Sequence, residues 1–181
     1  TPETEGAVHR IARLPFGAYI LQEEQVPYGQ GYVQPRYLGI VLRDTGEVQK
    51  YFLSNEFTRT AFSKVDVRTQ REIQGAEMTL YRAEVDTEGK PVTDENGNYI
   101  KEEVVAAWIS GYECDDRGNL KLGEDGERIP TTRPHWIDHI PLGPYVLEET
   151  VCPYEQGYVQ SKAMSIDVLE TGNVQTYRME D

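Results

Sequence analysis

This sequence has little positive charge: 18 Lys and Arg residues stand against 31 Asp and Glu, which gives a formal net charge of −13. Nucleic acids and anionic membrane surfaces are bound by basic faces, so both are excluded as partners. The chain also lacks any apolar run near the roughly 20 residues of a membrane-spanning helix. Its 2 cysteines, Cys114 and Cys152, are too few for a disulfide framework, and either one disulfide or two reduced thiols remains open.

No segment places apolar residues at the period of a helix. Short stretches instead alternate apolar and polar residues between turn formers such as Gly, Asp and Asn. The 12 tyrosines against 4 phenylalanines suit half-exposed sheet surfaces. We therefore predict an all-β chain with the architecture of a β-sandwich. The predicted strands are residues 19–23, 36–42, 47–53, 61–67, 77–83, 104–109, 135–140, 145–149, 162–169 and 174–179.

The dominant feature of the sequence is an internal repeat. Residues 14–55 align without a gap to residues 140–181 at an offset of 126, with 18 identities in 42 pairs. The identities include Pro15/Pro141, Gly17/Gly143, Tyr19/Tyr145, Glu23/Glu149, Pro27/Pro153, Tyr32/Tyr158 and Gly46/Gly172. Each copy is typical of a turn, a half-buried strand and a rigid loop, followed by two more strands. The chain therefore contains two related modules.

The two copies differ in what precedes them. The second follows the strands predicted over residues 61–140, which can complete a domain, whereas only 13 residues precede the first. We predict that residues 1–57 are the C-terminal half of one module and that residues 58–181 are a complete module. Isolated strands leave unpaired edges and an uncovered apolar face, so a separate upstream polypeptide or a neighbouring molecule is expected to supply the missing half. The alternative is a poorly ordered stub.

Four segments in a fixed order carry a resemblance to a known family. They are Phe62-Ser-Lys-Val-Asp66, Gly75-Ala-Glu-Met-Thr-Leu80, Leu142-Gly-Pro-Tyr-Val-Leu-Glu-Glu-Thr150 with Pro153 and Gly157-Tyr158 after it, and Met179-Glu-Asp181. They resemble the Cna B-type (SpaA-like, prealbumin-like) modules that build the stalks of Gram-positive surface adhesins and pilins. The resemblance covers residues 58–181 in full and 9–55 as half a module. It implies a prealbumin-like, inverse immunoglobulin-like β-sandwich in tandem.

The resemblance also implies an autocatalytic isopeptide bond between a lysine on the first strand and an Asn or Asp on the last, assisted by a glutamate. Carried over by motif, Lys64 and Asp181 are the crosslinked pair and Glu149 is the catalyst. The residue types suit this chemistry, because an amine attacks only when neutral and burial favours the neutral form. A protonated, buried glutamate can hydrogen-bond the acceptor carbonyl and relay a proton as water leaves.

The same offset assigns roles in the first module. Glu23 takes the place of Glu149, and Asn55 takes that of Asp181, with ammonia released instead of water. The lysine partner is absent from the chain, because it would lie on the missing first strand. Lys50 belongs to the same predicted strand region as Asn55 and is the wrong partner.

These expectations define a function. The chain is predicted to be a structural stalk module of a Gram-positive cell-surface adhesin or pilin, extracellular and anchored to the cell wall. No cofactor, no metal and no action on an external substrate are expected. The expected partners are neighbouring modules of the same surface protein or the polypeptide that completes the first module, with a host ligand at the tip. The alternative is a ligand-binding adhesin module that recognises a host protein or glycan.

Several residues are candidates for binding sites. The alternative function would use the long loop 111–133 or an exposed ledge of tyrosines, namely Tyr28, Tyr32, Tyr154 and Tyr158. His135 and His139 would lie about 13 Å apart on one strand, which is too far for a shared metal ion. The acidic stretches 94–98 and 115–119 do not have the ligand spacing of a calcium loop and are interpreted as hairpin turns.

Overall fold

The computed structural model describes residues 9–115 and 118–181 and contains two compact units. The first unit comprises the residues up to Gln25 together with Pro35–Asn55. The second comprises Val26–Gln34 together with Glu56–Asp181. The first copy of the repeat therefore contributes residues to both units.

Strands dominate the regular structure. They are β1 (Gly17–Leu21), β2 (Tyr32–Val33), β3 (Leu38–Leu42), β4 (Glu56–Phe57), β5 (Arg59–Val65), β6 (Glu77–Ala83), β7 (Lys101–Ile109), β8 (His135–Asp138), β9 (Gly143–Val151), β10 (Met164–Val168) and β11 (Val174–Glu180). Two short 3-10 helices, Tyr28–Gln30 and Tyr154–Gln156, occupy the same loop of each repeat copy. Within the described ranges, no helix has the length and apolar character needed to cross a membrane.

The second unit is a sandwich of two sheets, which confirms the predicted fold class. One sheet has four strands in the order β10-β9-β6-β7, and the other has three in the order β11-β5-β8. Side chains of both sheets meet in one core: Leu80 and Leu147 come from the larger sheet, and Phe62 and Met179 from the smaller. Each of these is at most 4 % exposed. Burial of these apolar side chains stabilises the pairing of the two sheets.

The last strand of the sandwich lies beside its first strand. β11 pairs with β5 in parallel, with Val174 opposite Arg59 and Glu180 opposite Val65. Parallel strands end at the same edge of a sheet, so the residue after β11 lies next to the end of β5. Lys64 occupies the penultimate position of β5. The topology therefore places Lys64 near Asp181.

The connections that follow β6 and β7 contain a second, shorter repeat that was not predicted from the sequence. An offset of 29 carries residues 84–100 onto residues 113–129 with 6 identities in 17 pairs. In the first segment Glu84 N–H donates to the Ile100 carbonyl, and in the second Glu113 N–H donates to the Ile129 carbonyl. Each segment forms two tight turns closed by isolated bridges. Much of the long 111–133 connection is therefore compact hairpin structure.

The first unit contains an antiparallel pair, β1 with β3, in which Gly17 is opposite Leu42 and Leu21 is opposite Leu38. The strand predicted over residues 47–53 is wrong, because these residues form no strand. The corresponding strand of the second copy, β11, is held by hydrogen bonds to β5. The described residues of the first unit include no strand in the place of β5, and an extended segment needs a neighbour to pair its backbone groups.

Local hydrogen bonds nevertheless match between the two copies. The Tyr19 hydroxyl donates to the Pro15 carbonyl, and the Tyr145 hydroxyl donates to the Pro141 carbonyl, both at 2.7 Å. The Tyr51 hydroxyl donates to the Val41 carbonyl, and its counterpart Tyr177 donates to the Asp167 carbonyl. Likewise, the Gln49 amide donates to the Arg43 carbonyl, and its counterpart Gln175 donates to the Leu169 carbonyl. The repeat therefore specifies local conformation independently of its surroundings.

The copies differ sharply in burial. Ile20 and Leu21 on β1 are 70 % and 37 % exposed, whereas Val146 and Leu147 at the same positions of β9 are 0 % exposed. In the second unit, β9 pairs with β6 and β10 and packs against the smaller sheet. Apolar side chains are thus exposed on β1 of the first unit, whereas the side chains at the matching positions of β9 are buried within the second unit.

Candidate crosslinking site

Lys64 lies in the interior of the sandwich. It shares a face of β5 with Phe62, since alternate residues of a strand point the same way, and it is 1 % exposed. Its Nζ lies 3.3 Å from Glu149 Oε2 and 2.7 Å from Ser161 Oγ, and it also contacts Asp181 Oδ1. Buried lysines require such polar partners. The structure therefore brings the predicted lysine together with both of its predicted partners.

Glu149 reaches the same point from the opposite sheet. It follows Tyr145 and Leu147 at alternate positions of β9, and all three side chains are 0 % exposed. The backbone N–H of Ser161 donates to Glu149 Oε2 at 2.7 Å, whereas Oε1 is buried and accepts no hydrogen bond. Oε2, the oxygen that lies 3.3 Å from Lys64 Nζ, is therefore fixed in place.

Asp181 directly follows β11 and is anchored by its backbone. Its N–H donates to the Val65 carbonyl at 3.0 Å, and its carbonyl accepts from the Val67 N–H at 2.7 Å. The side chain is 2 % exposed, with Oδ1 in contact with Lys64 Nζ and Oδ2 buried without a hydrogen-bond partner. These two backbone bonds hold the carboxyl group against the lysine amine.

The charge of this site favours condensation. One amine and two carboxyl groups are buried together, and burying an ion costs several kcal/mol that the pairing must offset. An amide between Lys64 and Asp181 is neutral, so its formation removes one positive and one negative charge from the interior at the same time. The solvent-exposed pair Lys90–Glu88, at 2.8 Å, gains nothing comparable because water already solvates both ions.

Ser161 was not identified from the sequence. It lies in the irregular segment between the 3-10 helix Tyr154–Gln156 and β10, and its hydroxyl donates to the Glu180 carbonyl at 2.8 Å. The internal repeat gives no signal for it, because Pro35 stands at the matching position of the first copy. Only its location, in the loop that follows the glutamate, places it near the site.

Cys152 is a second neighbour of the site. Both cysteines are free thiols, and the Cys152 sulfur and one carboxyl oxygen each of Glu149 and Asp181 lie within 4.8 Å of one another. Burial, reinforced by these two carboxyl groups, raises the pKa of Cys152 to about 11, so the thiol is neutral at physiological pH. Sulfur and carboxyl ligands are a set that zinc accepts, but Lys64 Nζ already contacts both carboxyl groups as their cation.

A surface cavity borders the site. Its lining includes Ser161, Asp181, Asp66 and Tyr158. The Tyr158 hydroxyl donates to Asp66 Oδ2 at 3.2 Å. Asp181 therefore has a short route to solvent, which a reaction that releases a small molecule requires.

The site residues predicted for the first module are not assembled in this way. Glu23 follows β1, and Asn55 is the last residue of the first unit; both are half-buried. Lys50 is exposed, and the two described strands of the unit, β1 and β3, contain no lysine. The described strands of the first unit therefore provide no amine for Asn55.

The two histidines make aromatic contacts. His135 stacks on Trp108 with ring centroids 4.5 Å apart, and burial lowers the pKa of His135 to about 4. His139 stacks on Phe57 at 4.2 Å, with Tyr32 packed edge-on at 5.1 Å. Among the other ledge tyrosines, the Tyr28 hydroxyl contacts Gln34 and the Tyr154 hydroxyl contacts Gln160. The Tyr158 hydroxyl contacts Asp66.

The acidic turns bind their own backbone. Asp94 Oδ1 accepts hydrogen bonds from the N–H groups of Asn96 and Asn98, both at 2.9 Å, and these bonds lower the pKa of Asp94. Asp115 Oδ1 accepts from the Asn119 N–H at 2.9 Å. These carboxylates therefore act within the turns that contain them.

No protein-family model matches the chain, and no curated protein matches it. Among solved structures it is similar to the Bacillus anthracis TIE protein, with 23 % identity over 92 % of this chain and 25 % of that one and a TM-score of 0.41. It is also similar to a streptococcal ancillary pilin, with 17 % identity over 92 % of this chain and 45 % of the pilin and a TM-score of 0.39.

A third similar structure is the group B streptococcus pilus 2b backbone protein, at 15 % identity over 88 % of this chain and 51 % of that one, with a TM-score of 0.39. The chain spans between 25 % and 51 % of the length of these three proteins.

Proposed function

We propose that this chain is a structural stalk module of a Gram-positive cell-surface adhesin or pilin, extracellular and anchored to the cell wall. An autocatalytic isopeptide bond between Lys64 and Asp181 stabilises it. One observation carries the proposal: a fully buried amine touches the carboxyl group of the neighbouring strand while Glu149 approaches from the opposite sheet. The side chains of Lys64, Glu149 and Asp181 are each at most 2 % exposed, so the chemistry acts on the chain itself.

The reaction balances without a co-reactant. Lys64 Nζ attacks Asp181 Cγ, an N–C bond forms, a C–O bond breaks, and the oxygen leaves as water with two protons that the ammonium group supplied. Glu149 takes a proton from the nitrogen and delivers one to the leaving oxygen. The fixed contact between amine and carboxyl gives a high effective concentration, and the closed interior limits the reverse hydrolysis.

The position of the bond suits a load-bearing role. Tension applied across Arg59 and Asp181 would pass along β5 to Lys64 and then directly through the crosslink. Residues 65–180 would form a covalently closed loop that carries no load. The parallel pairing of β5 with β11 makes this short path available, because both strands end at the same edge.

The first unit is proposed to be the complementary half of another module. On its β1–β3 pair, Leu21 is 37 % exposed, although it is the counterpart of the core residue Leu147. A neighbouring module of the surface protein or a separate polypeptide would cover this face with a strand equivalent to β5 and would pair with β1 through a strand equivalent to β6. Such a partner would place its lysine toward Asn55, with Glu23 in the role of Glu149.

Intact mass of the denatured chain tests the crosslink. The parent chain is expected to be lighter than its calculated mass by one water, and the Lys64→Ala and Glu149→Ala variants are expected to have their full calculated masses. A parent chain at full mass would remove the isopeptide bond from the proposal.

A second candidate function is ligand binding at the 111–133 connection. The lining of a cavity there includes Trp136, which is 50 % exposed, two basic residues (Lys121 and Arg133) and three acidic residues (Glu72, Glu113 and Asp115). An exposed indole in a cavity with charged side chains offers both stacking and hydrogen bonds to a glycan. Saturable binding in a glycan or matrix-protein screen, lost in Trp136→Ala, would favour this function; a stalk module is expected to show none.

A further inference from the structure

Ser161 contacts every member of the candidate site. Its Oγ lies 2.7 Å from Lys64 Nζ and also contacts Asp181 Oδ1, and its backbone N–H holds Glu149 Oε2 at 2.7 Å. The same hydroxyl lies 2.8 Å from the Glu180 carbonyl. Ser161 therefore links the two sheets at the point of reaction.

The hydroxyl has one proton and two lone pairs. Whether the proton is donated to the Glu180 carbonyl or to Asp181 Oδ1, a lone pair faces Lys64 Nζ and accepts one of its hydrogens. That bond orients the nitrogen, whose own lone pair must point at Asp181 Cγ for attack. After condensation the amide nitrogen keeps one hydrogen, and Ser161 Oγ is the acceptor already in place for it.

We propose that Ser161 is a positioning residue for the crosslinking reaction, a role that rests on the proposed isopeptide chemistry. Its hydroxyl aims the lysine amine, and its backbone N–H holds the Glu149 oxygen that lies 3.3 Å from Lys64 Nζ. The two contributions are separable, because a substitution of the side chain removes the first and leaves the second.

The first copy of the repeat lacks this device. Pro35 occupies the position of Ser161, and proline has neither a hydroxyl nor an N–H. Glu23 therefore cannot be held by the residue that matches Ser161. Only the second copy carries the complete set of Lys64, Glu149, Asp181 and Ser161.

The test is the rate of crosslinking in newly made chains. Translation in a cell-free system is stopped, samples are denatured at intervals, and the fraction lacking one water is measured by intact mass for the parent, Ser161→Ala and Ser161→Thr. Loss of a hydrogen bond to the reacting amine is expected to slow the reaction about tenfold or more in Ser161→Ala. Ser161→Thr, which restores the hydroxyl, is expected to recover most of the parent rate.

A matched pair separates positioning from packing. Ser161→Thr and Ser161→Val have nearly the same shape and differ by the hydroxyl, so a slow Val variant beside a fast Thr variant supports the role even if Ser161→Ala folds poorly. Equal rates in Thr and Val, with a crosslinked parent, would overturn the positioning role and leave the isopeptide proposal intact. A parent that never loses water would overturn both.

Discussion

The two copies of the repeat share local hydrogen bonds but differ in the strands that surround them. Tyr19 and Tyr145 make the same bond to a proline carbonyl at 2.7 Å, yet Ile20 is 70 % exposed and Val146 is 0 % exposed. Turns and side-chain bonds therefore form from short-range sequence alone. Burial depends on neighbouring strands, and among the described residues only the second copy has them on both sides.

The two matching glutamates, Glu149 and Glu23, also have different surroundings. Glu149 is sealed between two sheets and meets Lys64 and Asp181, whereas Glu23 follows a strand pair with no described sandwich around it. Glutamates at the same place in the same motif thus have different surroundings in the two copies. Under the proposed function, only the glutamate of the completed module acts as a catalyst.

The largest effect is expected from Lys64→Ala. Removal of the amine abolishes the crosslink and leaves two carboxyl groups buried without their cation, a loss of about 3–5 kcal/mol for a broken buried pair before the covalent contribution is added. Urea unfolding should show a much lower midpoint for the second unit. Lys50→Ala, an exposed lysine of the first unit, is the matched control and should unfold like the parent; equal midpoints for the two variants would contradict the account.

Substitution of the two glutamates should separate the copies next. Glu149→Gln removes the proton relay and is expected to slow crosslinking by about 100-fold or more, as is usual for loss of a general acid–base group. Glu23→Gln should leave the rate unchanged, because Asn55 has no amine partner in the described strands. The measurement is the time course of intact mass, and a comparable slowing by Glu23→Gln would sink the distinction between the copies.

Substitution of the matching loop glycines is expected to destabilise the protein more in the first copy of the repeat than in the second. Gly31 and Gly157 both have positive φ, at 74° and 87°. A Cβ on Gly31 would lie 2.2 Å from the His139 carbonyl carbon, whereas a Cβ on Gly157 would meet nothing within 4 Å. Gly157→Ala is therefore expected to lose about 1 kcal/mol from backbone strain, and Gly31→Ala about 2 kcal/mol or more.

Denaturant unfolding of both alanine variants checks this order. Gly157→Ser serves as a second control, because a slightly larger side chain should still meet open space. Equal losses at the two positions would show that the Gly31 backbone moves away from His139 without penalty.

The smallest effect is expected at the matched tyrosines. Tyr177→Phe should lose about 1 kcal/mol with its hydrogen bond, and the more exposed Tyr51→Phe less. Burial raises the pKa of Tyr177 to about 12, above the value of about 10 for a free tyrosine. Because the folded value is the higher one, this contribution is complete below about pH 10 and is lost as the pH rises through about 12.

Unfolding free energies measured on both sides of that alkaline window provide the check. The parent should lose stability more steeply than Tyr177→Phe, and Tyr51→Phe should follow the parent. Parallel curves for the parent and Tyr177→Phe would assign the alkaline loss to other groups.

Much of the second unit could be predicted from the sequence. Alternation and turn residues gave strands at 77–83 and 145–149, and the motif resemblance selected Lys64, Glu149 and Asp181, which the fold places in contact. The strand expected at 47–53 did not form, although its residue types are correct, because the described residues of the first unit include no strand for it to pair with. Local pattern reports what a segment can form, and a neighbouring strand decides whether it forms.

Other features had no signal strong enough to read. Ser161 acts through a backbone N–H and a hydroxyl, and its position in the first copy is a proline. The repeat between residues 84–100 and 113–129 has only 6 identities in 17 pairs, and it is recognised mainly from the matching backbone hydrogen bonds of the two segments. The parallel pairing of β5 with β11 depends on the whole topology of the sandwich and not on either strand.

The most direct test of the central claim is peptide mapping of the denatured, protease-digested chain by mass spectrometry. The account predicts one branched peptide in which Lys64 is joined to Asp181 with the loss of one water, together with an unmodified peptide that contains Asn55. Recovery of Lys64 and Asp181 on separate, unmodified peptides would contradict it.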